Sequence, residues 1–191
     1  MRFLAILIEL LVIGGLIALA FSLVRNMMRE NKKEKKWKQW QNLKVKSHQD
    51  ITIIEIKNDL EELNFVLKDK IPAQALASFE KIRQTIEILS QQETTFNEWK
   101  NTYSDESSDL LDILYKHMPE SLNRYFSVPK SMADTQKHRN GKNAHQLLDE
   151  TFAIFERRVN EISKEIISEN LNKLKTYQSF VQTKFEEKEW E

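Results

Sequence analysis

An all-α fold is what the sequence predicts: one N-terminal transmembrane helix followed by an antiparallel, coiled-coil-like helical bundle. Three observations carry that expectation. Residues 3–24 form an apolar run with a single charge. Apolar residues recur at steps of three and four through most of the remaining chain, which is the spacing that lines one face of a helix. Only three glycines and three prolines occur in 191 residues, well below the usual roughly 7% and 5%, so turns are few and elements long.

The apolar run, FLAILIELLVIGGLIALAFSLV, has 22 residues. At about 1.5 Å per residue it reaches the roughly 30 Å of a bilayer's hydrocarbon core. Residues 1–25 are therefore expected to anchor the chain. The alternative is a cleaved leader, for which Ala18-Leu19-Ala20 has the small-x-small form, and which would leave a periplasmic helical protein. Against it stand the poorly charged amino end, Glu9 inside the run, and the dense lysines beyond it. Gly14 and Ala18 are a small-xxx-small pair with Gly15 beside them, a pattern that lets a second membrane helix approach closely. Glu9, Gly14, Gly15 and Ala18 are thus the candidate membrane-helix contacts, with Glu9 as an interhelical hydrogen-bonding group.

Residues 26–46 are read as a basic juxtamembrane segment. Counting from Arg25 to Lys46, nine Lys/Arg face only Glu30 and Glu34, a net of +7, while 47–191 carry 19 Lys/Arg against 26 Asp/Glu, a net of −7. Lys and Arg close to a span mark its cytoplasmic side. The expectation is a single-pass protein of the cell inner membrane, amino terminus out and body in the cytoplasm. Arg25, Arg29, Lys32, Lys33, Lys35, Lys36 and Lys38 are the candidate contacts for anionic lipid headgroups. On a straight helix Trp37 stands about 20 Å beyond Val24, outside the interfacial belt, so Trp37 and Trp40 are expected to pack on the body. The mildly acidic body disfavours nucleic acid as a partner.

Residues 47–191 are expected to be one cytoplasmic helical bundle. Ile53, Ile56, Leu60, Leu63 and Leu67 make a heptad seam that ends near Pro72. A second helix starts there, with Leu76, Phe79, Ile86, Leu89, Phe96 and Trp99 on its stripe to about Lys100, and either folds back as a hairpin or continues with a kink. Ser104, Asp105 and Glu106 read as the capped start of a short helix stopped by Pro119. Residues 120–127 make another short helix closed by Pro129, and 130–143 a flexible loop. The last element is the plainest: Leu148, Phe152, Phe155, Val159, Ile162 and Ile166 lead on through Leu171, Leu174, Tyr177, Val181 and Phe185, a helix of about 40 residues.

No catalytic signature appears. The glycines are too few for a phosphate-binding loop, the absence of cysteine removes thiolate chemistry, and the four histidines have no metal-ligand spacing. No cofactor is expected. The segment around Tyr115, Met118, Pro119, Glu120, Leu122, Tyr125 and Pro129, followed by Gly141, Lys142, Leu147, Leu148 and Asp149, resembles bacterial membrane-anchored helical proteins of the XpaC-like kind. That resemblance implies an anchored helical body, and a link to phosphate-ester hydrolysis with no catalytic residue to transfer. Physically, two prolines flanking a short helix imply a rigid corner filled by aromatic rings. Pro119, Glu120, Tyr125 and Pro129 are its candidate interaction residues. The functional expectation is a non-enzymatic tether that presents a helical scaffold to a protein partner or to itself, with a hydrolase or hydrolase accessory as the alternative.

Overall fold

A computed structural model describes residues 22–35, 37–38 and 51–186. The proposed anchor, 1–25, lies outside these residues except for its last four, 22–25, which are helical. Glu9, Gly14, Gly15, Ala18, Lys36 and Trp40 lie outside them too. Among the described residues there is no strand, and no helix is long and apolar enough to cross a membrane.

Among the described residues, leading helical stretches at 22–35 and 37–38 precede seven helices. They are α1 (Ile53–Leu67), α2 (Ala73–Ser90), α3 (Glu93–Thr102), α4 (Ser104–Asp112), α5 (Met118–Phe126), α6 (Lys130–Ala133) and α7 (Ala144–Glu186), with a π-helical turn, Ile113–His117, joining α4 to α5. Several of these pack around one apolar core.

α1 starts where Thr52 and Glu55 satisfy each other's backbone. The Glu55 N–H donates to Thr52 Oγ1 at 3.2 Å and the Thr52 N–H to Glu55 Oε2 at 3.1 Å, a reciprocal capping box. The predicted seam of Ile53, Ile56, Leu60, Leu63 and Leu67 is buried throughout. α1 and α2 form an antiparallel hairpin, held on its flank by Lys57–Glu87 at 3.0 Å and by Arg83–Glu61. α2 has no side-chain cap of its own after Pro72; instead Asp149, far along the chain in α7, accepts a 2.7 Å hydrogen bond from the Ala75 N–H.

The helix predicted to run unbroken to Lys100 is interrupted at Gln91–Gln92. The Gln91 and Gln92 N–H groups donate to Ile88 and Leu89 carbonyls three residues back, tightening the end of α2, and Gln92 leaves helical geometry at φ −123°, ψ 47°. α3 nevertheless continues in the same direction, because α7 splints both. Lys81–Glu156, Thr85–Asn160, Thr95–Asn170 and Glu98–Lys173 all join residues 75 apart, at 2.9, 2.9, 3.2 and 3.2 Å. A constant offset means parallel helices. α2 against α7 is the most extensive interhelix packing in the body, with Phe79 and Phe152 rings 6.5 Å apart inside it. Consecutive long elements do alternate in direction, yet the dominant pair is parallel, which an antiparallel hairpin pattern does not anticipate. The reason is the crossover: α4 and α5 return the chain to the level of the α2 start before α7 begins.

Pro119 does not stop the helix as expected. Proline has no N–H and its ring collides with the carbonyl four residues earlier. The π turn widens the helix just before it, with the Met118 N–H donating to Ile113 five residues back, and the axis carries on into α5. The same turn aims Tyr115 inward, where its hydroxyl donates to Asp59 of α1 at 2.8 Å. Burial, then the Asp59 carboxylate, pushes the Tyr115 phenol far above its ordinary value of 10. The predicted loop 130–143 contains α6 and a turn at Gly141, whose φ of 80° suits glycine. α7 then opens with Asn143 and Gln146 exchanging backbone bonds at 2.9 and 3.1 Å. Its 43 residues reach about 65 Å.

Two outcomes test this framework. Asp149→Ala removes the side-chain cap that the start of α2 takes from α7 and is expected to destabilise the body by about 1–2 kcal/mol, read as a lower urea midpoint with an unchanged slope. Tyr115 titrates above its unfolded value, so its contribution is complete below about pH 10 and is lost as pH rises further. Tyr115→Phe should therefore flatten the alkaline limb of the stability profile, as measured by helical circular dichroism.

Candidate functional site

One end of the bundle gathers the residues with chemical potential. The leading segment lies against it. Lys33 is 1% exposed, and a buried ammonium is tolerable only when paired. Its Nζ donates to Asp69 at 2.8 Å, lies 3.5 Å from Glu30, and sits 5.8 Å from the centre of the Phe65 ring. Arg29 reaches the same Asp69 at 3.2 Å, and Lys70 lies 3.7 Å from Glu30. The hydrogen bond and charge of Lys33, with help from Arg29, hold the Asp69 carboxyl below its ordinary value of 3.8. One turn further on, Trp37 packs edge-on against Phe126 with ring centres 5.3 Å apart.

Asp69 belongs to the α1–α2 turn and Phe126 to the end of α5, so the leading segment bridges two parts of the body. Between them opens a cavity of about 360 Å³, lined by Ile71, Pro72, Tyr125, Phe126, Lys130 and His145 among others. A second, of about 270 Å³, lies on the other side of Tyr125, against Leu147, Leu148 and Thr151 of α7. Tyr125 is the partition. Its ring meets Phe126 at 5.6 Å and His145 at 5.7 Å, and burial with the Asp134 and Asp149 charges raises its phenol above the ordinary value. His145 Nδ1 lies 2.5 Å from Asp134 Oδ1, an arrangement that fixes the imidazole's orientation at the cavity wall.

The sequence-predicted residues divide. Tyr125 is at the centre of the site. Pro119 is buried in the first turn of α5, and Pro129 precedes α6. Glu120 is exposed and pairs with Arg124 at 2.6 Å; it lines neither cavity, although Arg124 lines the smaller one. Of the basic set, Arg25, Arg29, Lys32, Lys35 and Lys38 are exposed, Lys38 pairing with Glu34 at 3.1 Å, while Lys33 turns into the body. Trp37 is half-buried on the core. Asp69, Asp134 and His145 were not singled out by sequence reasoning, because each is an ordinary surface-type residue until the fold brings it to this end. The one available signal was the alternation of aromatic and basic residues around Trp37.

No protein-family model, curated protein or solved structure matches the chain.

Because the Asp69 carboxyl is depressed, its tie to the leading segment is complete above the unfolded value near 3.8 and is lost as pH falls below it. Asp69→Asn should mimic that loss at neutral pH: Trp37 separates from Phe126, and its emission shifts to the red relative to the wild-type chain in the same membrane mimetic.

Proposed function

We propose that the protein is a non-enzymatic, single-pass membrane tether that holds a helical interaction body at the cytoplasmic face of the inner membrane. The observation that carries this reading is the seating of the leading segment on the body through buried Lys33 and through Trp37. A loose linker would leave a lysine in water. Here the helix that continues from the apolar run is clamped, so a membrane-embedded run would fix where the body stands. On a straight helix Lys33 and Trp37 lie about 14 and 20 Å beyond Val24.

The division of labour among the basic residues supports the same reading. Lys33 serves the body, whereas exposed Arg25, Lys32 and Lys35 stay available to anionic headgroups, each contributing about 1 kcal/mol near such a surface. The end with Tyr125 and its cavities then stands toward the bilayer. α7, which begins there at Ala144, leads away from it. Partner binding would accordingly take place on the body's flank or at the far end of α7, whether the partner is another protein or a second copy.

The experiment is topological. Alkaline phosphatase fused after residue 191 should be inactive in cells, and the chain should resist extraction by carbonate; an active fusion or carbonate release overturns the tether. Arg25, Lys32 and Lys35 all changed to Glu should weaken binding of the detergent-free chain to phosphatidylglycerol surfaces or reverse its orientation, whereas Lys33→Glu should instead lower the melting temperature of the body.

A further inference from the structure

α7 outruns the bundle. With partners 75 residues apart, the last residue of α3, Thr102, stands level with Tyr177, and the last recorded tie is Lys173 to Glu98. Beyond Ile166, which is fully buried, the apolar residues turn to solvent: Leu171 is 61% exposed, Leu174 63%, Tyr177 64% and Phe180 56%. A helix end that projects alone into water is marginal, since most helical stability in proteins comes from packing an apolar face. This stretch is helical to Glu186, and Leu171, Leu174, Tyr177 and Phe180 are exposed on it.

Its shape is that of a seam. Ile167, Leu171, Leu174 and Val181 fall on one heptad stripe, with Gln178 in the same row. The charges beside it are of one sign. Between Asn170 and Phe185 there are three lysines, Lys173, Lys175 and Lys184, and no carboxylate. At 100° per residue Lys173 and Lys184 fall along one edge of the stripe and Lys175 along the other. Aliphatic stems of such lysines can cover a partner's apolar residues while their ammonium groups reach across it.

We infer that this exposed stripe on the C-terminal part of α7, which starts level with α3 and runs on past its end, is a docking surface for an acidic amphipathic helix, one that offers an apolar stripe edged by carboxylates. Charge complementarity selects this occupant. A second copy in parallel would bring two carboxylate-free, lysine-edged strips together, and like charges at a helical interface are repulsive. The inference rests on the reading of the body as an interaction module and adds where the partner sits and what chemistry it carries.

The test uses the full chain in nanodiscs and two synthetic 28-residue heptad peptides, with leucine at the core positions and either glutamate or lysine at the flanking ones. The acidic peptide is expected to bind at least tenfold more tightly than the basic one. Leu171→Asp with Leu174→Asp should abolish that binding without shifting the melting transition, because both side chains are exposed. Reversal of Lys173, Lys175 and Lys184 to Glu should invert the preference. Equal binding of the two peptides, binding of neither, or a Leu174→Cys chain that crosslinks to its own copy and leaves the acidic peptide unbound would each overturn the inference. So would attachment of this face to phosphatidylglycerol vesicles in place of the peptide. Carbonate extraction of the same preparations reports on the tether separately, so failure of the docking surface and failure of the membrane reading are distinguishable.

Discussion

The parallel alignment of α7 with α2 and α3 is the constraint on which the remaining structure depends. A constant separation of 75 residues, kept from Lys81–Glu156 to Glu98–Lys173, carries α7 straight past the break at Gln91–Gln92 and holds the two shorter helices collinear. Within that interface the core is aromatic and aliphatic, with Phe79 and Phe152 in contact, while the polar ties lie along its edges. Burial of the apolar face supplies most of the attraction, since exposed ion pairs contribute only about 0–1 kcal/mol each. The edge pairs fix register more than they add strength.

From that alignment the candidate site follows. Because α7 starts level with the start of α2, Asp149 can cap α2 and His145 can lie beside Tyr125 at the end of α5. The α1–α2 turn comes to the same level through its hairpin, which places Asp69 where Lys33 reaches it. Three segments distant in sequence thus share one end of the bundle. A leading helix that touches both Asp69 and Phe126 reads their relative position, so its seating is coupled to the integrity of the body.

The opposite end follows from the same geometry. α3 finishes at Thr102 whereas α7 continues to Glu186, so parallel packing with unequal lengths must leave an overhang. The exposed leucines level with the end of α3 and the aromatics that follow are neither a core nor a random scatter: between Asn170 and Phe185 they continue helical periodicity on a strip whose only charges are lysines. Separation of function along one long helix results, with the faces packed on α2 and α3 building the body and the exposed stripe toward the carboxyl end offering a surface.

Local spacing determined much of this protein. The helical class, the buried seam of α1, the long final helix and the lysine-rich flank after an apolar run were legible because hydrophobic period, proline position and charge are properties of neighbouring residues. Direction and partnership were not, since they depend on residues some 75 positions apart. Pro119 reads as a stop on its own, and only packing of Tyr115 against Asp59 accompanies the π turn through which the helix passes. Lys33 looks like any of its neighbours until the α1–α2 turn arrives to bury it, and Leu171 and Leu174 look like core although, level with α3, they are turned away from it to solvent. The sequence alone determined which faces are apolar and which are charged; the tertiary structure decided which of those faces meet, because helix pairing is settled by the lengths and levels of elements that no local pattern records.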